Sequence, residues 1–289
     1  MRLGKKDIEE FFKLHKSLLL YVNSKKHLIK GLSSISDLQM APFEKIAELR
    51  NMAVGDLTLI DSLIKENPFE FTDKELKTIE CWKEGIFDTF FIVKYEKDMA
   101  IFYHPETKKC YGVLSLNDQL EDMLGPYIPR IVQAWLISFK DRIIYDGLIA
   151  PYNITVGRGM EKNLRAEYEE VIVKHGMLTS FYSKEEKQSS DEELFKFYMK
   201  SETNRDRFWE EIETFRTKSS QLEALYHRER GRVLSGKLKR KLKEIRATGH
   251  FAAVDNVIVA SAPTKKELDA RVTEIMPEEK KEWVNRFKI

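Results

Sequence analysis

The residues best suited to binding chemistry lie in a basic segment, His227 to Arg246. Nine lysines and arginines stand there against two glutamates, a local balance of +7, although the whole 289-residue chain carries only +2. Closely spaced cations neutralise phosphates, and each neutralised phosphate makes binding dependent on salt. Tyr226, His227 and Phe251 lie beside the segment, and such rings stack on bases. The predicted nucleic-acid-binding residues are Arg228, Arg230, Arg232, Lys237, Lys239, Arg240, Lys241 and Lys243.

The same segment has a purely structural interpretation. Leu238, Leu242 and Ile245 follow helical spacing, which is typical of an amphipathic helix whose cations are simply solvated. Since the rest of the chain sums to −5, any polyanion is expected to bind this segment alone rather than a generally basic molecule. The sequence is consistent with three interpretations of this segment: a polyanion site, a solvated helix face and a protein-docking site.

A second candidate site combines Asp146, Asn153 and Arg158. Asp146 and Asn153 lie near the ends of predicted strands, where a carboxylate can serve as a general base or a metal ligand. An Asp-Gly pair such as Asp146-Gly147 is also an ordinary turn, in which glycine supplies the positive φ. The sequence therefore allows an enzyme with a dispersed site here, without requiring one.

Motifs for metals, cofactors and nucleophiles are lacking. The six histidines and two cysteines show none of the spacings of a zinc site, and no serine lies in a nucleophile elbow. The turn Gly157-Arg158-Gly159 precedes a helix but lacks the longer glycine patterns of nucleotide-binding loops. We therefore expect no metal and no cofactor, identify no catalytic residue, and favour a protein that is not an enzyme.

The elements expected to position these residues begin with helices. Apolar spacing predicts a helix over residues 5–31 and another over 42–65 that breaks at Gly55. Thr72 and Glu75 form a capping box for a third helix. From residue 87 the period changes to that of short strands with tight links, which predicts an antiparallel meander, either open or closed into a small barrel. The predicted strands are 90–95, 99–103, 110–114, 131–139, 142–149 and 152–156.

The last third of the chain is predicted to be mostly helical. Helices are expected over 160–175, from Ser190 and from Phe208 to Leu225, then a short basic helix over 237–246. Two strands follow within 251–262, then a helix from Thr264 and an amphipathic turn with Trp283 and Phe287. The predicted class is α+β, divided into a helical segment (1–66), a central antiparallel sheet with flanking helices (67–183) and a helical region with a C-terminal β-β-α unit (184–289). The preferred boundary is the polar linker Lys184–Ser190.

One region resembles a group of uncharacterised prokaryotic proteins. The likeness covers about residues 67–160 and implies no assigned activity, so it transfers no functional residue. A further stretch, His250 to Val272, is similar to small strand-strand-helix modules of no fixed function. The residues that carry the main likeness are Trp82, Phe90–Val93, Tyr111–Leu114, Phe139–Ile149 and Pro151–Ile154.

Taken together, the sequence favours a non-catalytic binding or regulatory protein that associates with RNA or DNA through residues 227–246. No apolar run reaches the length of a membrane-spanning helix, and the first residues lack a signal-peptide pattern, so we expect a cytoplasmic protein without membrane partners. The alternatives are the enzyme described above, and a scaffold or homo-oligomer held together by the aromatic helices around Trp209 and by the Trp283 tail.

Overall fold

The structure, a computed structural model, describes residues 3–182 and 189–289. The chain forms two compact units, residues 1–186 and 187–289. Most of the predicted polar linker Lys184–Ser190 lies outside the described residues. No helix in the described part of the chain combines the length and the apolar content needed to cross a membrane.

Five helices open the first unit. The helix predicted over residues 5–31 is shorter, because His27 adopts left-handed geometry and ends it. The predicted break at Gly55 is confirmed, and so is the capping box in which Thr72 accepts a hydrogen bond from the Glu75 amide. The short second helix was not predicted. The five are α1 (Lys5–Lys26), α2 (Ile35–Met40), α3 (Phe43–Gly55), α4 (Thr58–Glu66) and α5 (Asp73–Cys81).

A five-stranded barrel follows these helices. Its strands run in the order β1-β2-β3-β5-β4, and an antiparallel β1–β4 pair closes the ring. The α+β class is confirmed and the small barrel is present, with one parallel pair, β3–β5, that a simple meander does not contain. The elements are β1 (Ile86–Tyr95), β2 (Met99–His104), β3 (Lys109–Leu114), α6 (Leu120–Leu124), β4 (Arg130–Phe139), β5 (Arg142–Tyr145), the short edge strand β6 (Ala150–Pro151) and α7 (Arg158–His175).

The chain leaves the barrel earlier than predicted. The strand expected over 142–149 ends at Tyr145, because Gly147 has φ +88° and turns the chain. A β-carbon at Gly147 would also lie 3.0 Å from the Phe12 ring, so this close turn requires glycine. The strand predicted over 152–156 is absent from the structure.

Alternate residues of the barrel strands pack in opposite directions. One set, which includes Phe90 and Phe102, belongs to a single hydrophobic core shared with α1, α3 and α4. The other face of β1–β3, including Ile101 and Cys110, is covered by Leu164 and Val171 of α7. The helices of residues 5–66 and the barrel are therefore held by one continuous apolar core.

The second unit places a three-stranded sheet between two helices. Its strands run in the order β8-β7-β9; the two strands predicted within 251–262 are present, and the third was not predicted. Leu238 and Leu242 of α11 pack on one sheet face, and Leu268 and Val272 of α12 on the other. The elements are α8 (Asp191–Met199), α9 (Glu202–Arg207), α10 (Trp209–Lys218), α11 (Ser220–Glu244), β7 (His250–Val254), β8 (Val257–Ala262), α12 (Lys265–Ile275) and β9 (Asn285–Lys288).

The basic helix predicted over 237–246 is helical through Glu244, but it is not a separate short helix. Residues 237–244 close a continuous helix of 25 residues, α11, which Ser219 caps by accepting a hydrogen bond from the Leu222 amide. Gly231 lies inside this helix at the point where α11 packs against Asn285. A β-carbon there would lie 2.9 Å from the Asn285 side chain, so this packing requires glycine. Most of the basic segment therefore lies on one continuous helix.

Candidate functional site

Four cations share one side of α11 with Tyr226. They are Arg230, Lys237, Arg240 and Lys241, which we call the basic row. They follow Tyr226 by 4, 11, 14 and 15 residues, all close to whole numbers of 3.6-residue turns. Glu244 ends this side of the helix one turn beyond Arg240.

Two cations in the first half of the segment, Arg230 and Arg232, already have partners. Arg230 donates to the Tyr226 hydroxyl at 2.7 Å and lies 3.7 Å from the Asp255 carboxylate. Arg232 donates to Glu229 at 2.7 Å. Arg228 contributes, after Lys196, to holding the pKa of Glu192 below its usual range. These charges are partly balanced within the unit.

Cations in the second half are different. Lys237, Arg240, Lys241 and Lys243 are exposed and form no ion pair with any residue that the structure describes. Lys239 is half-buried, with its ammonium 5.6 Å from the Phe287 ring centroid. Among the eight predicted residues, Arg230 and Arg232 are thus paired, whereas Lys237, Arg240, Lys241 and Lys243 form no ion pair with a described residue. Three of these four unpaired cations belong to the basic row.

A cavity of about 340 Å³ lies beside the start of the basic row. Trp209, which is 60% exposed, forms part of its wall together with Tyr226. Arg205, whose guanidinium donates to the Met199 carbonyl at 3.0 Å, and Arg230 add positive charge, and Glu213 adds one carboxylate. The volume falls in the range of small-molecule sites. The remaining lining residues are Met199, Ile212, Val233 and Leu234.

Of the three aromatic residues expected to stack on bases, Tyr226 alone lines the cavity, and the Arg216 and Arg230 guanidinium groups lie 5.3 and 5.7 Å from its ring centroid. His227 is already stacked on Trp283 with ring centroids 3.9 Å apart. Phe251 is buried against Phe287. Trp209 was expected in an oligomer contact, and its place in this cavity was not predicted, because α10 and α11 bring it there only after folding back on each other.

The barrel of the first unit offers less to a nucleic acid. Small five-stranded Greek-key barrels bind oligonucleotides on the face of strands 2 and 3. Here α7 covers that face: Tyr103 and Cys110 are buried beneath it. Burial also raises the pKa of Cys110 to about 12, which keeps this thiol protonated and unreactive.

The second predicted site is rearranged in the structure. Asp146 is fully buried, and its carboxylate accepts from the Arg50 guanidinium at 3.1 Å and from the Leu148 amide at 3.2 Å. Nε2 of His15, also buried, lies 3.9 Å from the same carboxylate. Asn153 and Arg158 are exposed, and their side chains form no hydrogen bond or ion pair with a described residue. The structure thus joins Asp146 to Arg50 and His15, not to its two predicted neighbours.

Burial governs the titration of this cluster. Desolvation raises the pKa of Asp146 to about 7, although the Arg50 charge and the Leu148 amide oppose the rise. Desolvation, with Arg50 and Lys16 nearby, lowers the pKa of His15 to about 3. Arg50 was missed from the sequence, yet a signal was present: it follows Ile46 by four residues and so lies on the inward face of α3.

Comparison with known proteins adds no assignment. No family model, no curated protein and no solved structure matches the chain. Among the described residues, no three histidine, cysteine, aspartate or glutamate side chains come close enough to hold a metal ion.

Proposed function

We propose that the second unit binds single-stranded nucleic acid along α11. The observation that carries the proposal is the position of the three unpaired cations of the basic row. Lys237, Arg240 and Lys241 lie on the side of the helix that also contributes Tyr226 to the aromatic cavity. Proteins that bind single strands combine a cationic track for the backbone with aromatic rings on which bases stack.

The dimensions of α11 support this combination. At 1.5 Å per residue, Tyr226 and Lys241 are about 22 Å apart along the helix axis. Lys237 lies about 16 Å from Tyr226 on the same scale. A strand with one base in the cavity can therefore extend along the basic row and place several phosphates near its cations.

The chemistry of the cavity favours a base over a phosphate. The exposed Trp209 ring gives a flat apolar surface for stacking, which is worth about 1–3 kcal/mol per base. The Glu213 carboxylate already accepts from Arg216 at 3.1 Å, and it can also accept a hydrogen bond from the amino group of a base. Arg205 and Arg230 also line the cavity. Their guanidinium groups already donate to the Met199 carbonyl and the Tyr226 hydroxyl, so the phosphates are assigned to Lys237, Arg240 and Lys241.

The test compares two double variants of the full chain. Lys237→Gln/Lys241→Gln removes two cations of the basic row, and Lys265→Gln/Lys266→Gln removes two exposed cations of α12. Binding of fluorescein-labelled 12-nucleotide RNA and DNA of the same sequence is followed by anisotropy in low salt. The proposal predicts micromolar binding by wild type and by the α12 variant, and at least a tenfold loss in the α11 variant.

Two outcomes would contradict the proposal. The first is that wild type leaves both oligonucleotides unbound in 20 mM salt, which would make the basic row a solvated helix face without a ligand. Equal losses in the two double variants would mean that net charge, not the basic row, controls binding. The comparison of RNA with DNA then shows whether the protein contacts the 2′-hydroxyl group of RNA.

A further inference from the structure

A second cavity lies within the first unit, at the C-terminal end of α7. It has a volume of about 220 Å³, and its walls come from the β2–β3 turn, the last turn of α7 and the residues that follow this helix. Three lining residues are basic and exposed: Lys108, Lys109 and His175. The apolar part of the wall is buried or half-buried, so the cavity is cationic toward solvent and apolar toward the core. That part consists of Cys110, Val171 and Leu178.

Hydrogen bonds hold the walls of this cavity in place. The Thr107 amide donates to Nδ1 of the buried His104 at 3.1 Å, which ties the β2–β3 turn to the barrel. The Leu178 amide donates to the Cys110 carbonyl at 2.9 Å, and the Gly112 amide donates to the Leu178 carbonyl at 2.8 Å. The chain after α7 is therefore fixed alongside β3. Backbone contacts position both walls, as in ligand sites that are largely formed before binding.

The positive charge of this cavity is not balanced by its own wall. Among the described residues that line it, none is acidic, and Lys108, Lys109 and His175 form no ion pair with a described residue. Of the nearby carboxylates, Glu106 lies outside the wall and Glu170 is paired within α7. The C-terminal end of α7 adds about half a negative charge, which is less than the charge of the two lysines. The cavity therefore favours an anion.

We propose that this cavity binds a small aromatic monocarboxylate, with its carboxylate at Lys108 and Lys109 and its ring against Val171 and Leu178. Hydrogen bonds between ammonium and carboxylate groups are among the stronger ones in proteins. A ring N–H of His175 can donate a further bond to the same group. Apolar cavities of about 150 Å³ hold benzene, so a cavity of about 220 Å³ accommodates one six-membered ring together with its carboxylate.

The experiment uses the full chain with ¹³C-labelled valine and leucine methyl groups. Benzoate, benzyl alcohol and acetate are titrated separately in low salt while the Val171 and Leu178 methyl resonances are observed by NMR; benzyl alcohol lacks the charge and acetate lacks the ring. The proposal predicts that benzoate shifts both resonances and binds about tenfold more tightly than benzyl alcohol, as expected for hydrogen bonds to charged groups. It should also bind at least tenfold more tightly than acetate, which buries no ring. High salt should reduce the advantage of benzoate over benzyl alcohol, because exposed charges are screened.

Two double variants separate this site from the net charge of the chain. Lys108→Gln/Lys109→Gln removes the cations of the cavity, and Lys5→Gln/Lys6→Gln removes two adjacent exposed lysines of α1 that do not line it. The first variant should bind benzoate at least fivefold more weakly and benzyl alcohol as wild type does, and the α1 variant should match wild type for both. Because all four lysines are exposed, both variants should unfold at the temperature of wild type.

Four results would overturn the proposal. Benzyl alcohol could bind as tightly as benzoate, which would exclude a role for the lysines, or acetate could do so, which would exclude a role for the apolar wall. Equal losses in the two double variants would reduce the effect to net charge. Val171 and Leu178 resonances that do not respond to benzoate would show that the cavity is not occupied.

Discussion

The opposed pKa values of His15 and Asp146 make a specific prediction about stability and pH. His15 has its pKa lowered from 6.5 to about 3 on folding. Its contribution is complete above pH 6.5 and is lost as the pH falls toward 3, because the unfolded chain then binds a proton that the folded chain does not. Asp146 has its pKa raised from 3.8 to about 7. Its contribution is complete below pH 3.8 and is lost as the pH rises toward 7.

Between pH 4 and 6.5 the two slopes have opposite signs. Each amounts to about 1.4 kcal/mol per pH unit at most, so in wild type they nearly cancel. His15→Phe removes one of them and exposes the other. We expect the stability of this variant, measured relative to wild type, to fall by roughly 2–3 kcal/mol between pH 4.5 and 6.5, because wild type gains stability from His15 over this range and the variant does not.

Urea unfolding at a series of pH values measures this difference directly. The buried indoles of Trp82 and Trp135 lie 6.1 and 6.4 Å from the His15 ring, so their fluorescence follows the unfolding of this region. Subtracting wild type from the variant removes the titration of all other groups. Parallel stability curves for the two proteins would refute the reasoning, since they would mean that His15 titrates in the folded chain as it does in the unfolded one.

Two further predictions concern α11 and its cavity. A β-carbon at Gly236 would meet no other atom, whereas one at Gly231 would meet Asn285. Gly236→Ala should therefore stabilise the second unit by about 1 kcal/mol, and Gly231→Ala should be the less stable of the two variants in urea unfolding. The reverse order would contradict the packing described for α11. Trp209→Ala should weaken single-strand binding by about 1–3 kcal/mol. Trp209→Phe should retain most of the affinity, because a smaller ring still stacks. Identical affinities of wild type and both variants in the anisotropy assay would remove Trp209 from the proposed site.

Features that depend on neighbouring residues were predictable from the sequence. The Thr72 cap and the break at Gly55 are local, because each is decided within a few residues of the chain. The short β-branched and aromatic runs of β1–β3, separated by turn-like segments, likewise predicted the strands, since both signals are local.

Features that depend on distant residues were not predictable. Asp146 meets Arg50 across 96 positions of the chain, and no pattern in the sequence specifies that pairing. The parallel β3–β5 pair arises in the same way from the closure of the barrel. The residues of α11 were divided in the prediction between a helix ending at Leu225 and a short basic helix over 237–246. In the structure one helix covers both, and Gly231 lies where a β-carbon would meet the distant Asn285.

The same distinction between local and distant contacts applies to the cations of the candidate interface. The cations of the basic row could be read from the sequence, because a 3.6-residue period places Lys237 and Lys241 on one side of a helix. The sequence could not show which cations are paired, because Asp255 approaches Arg230 only through the fold of the β7–β8 turn. The division of the segment into paired and unpaired cations is therefore what the structure adds.

The most direct test of nucleic-acid binding is its dependence on salt. For a single strand the slope of log Kobs against log salt is about −0.7 for each phosphate neutralised. With Lys237, Arg240 and Lys241 each meeting one phosphate, wild type should give a slope of about −2, and affinity should fall about 18-fold between 50 and 200 mM salt. Lys237→Gln/Lys241→Gln should reduce the slope to about −0.7. A slope that is the same in wild type and in this variant would contradict the assignment of the basic row as the nucleic-acid interface.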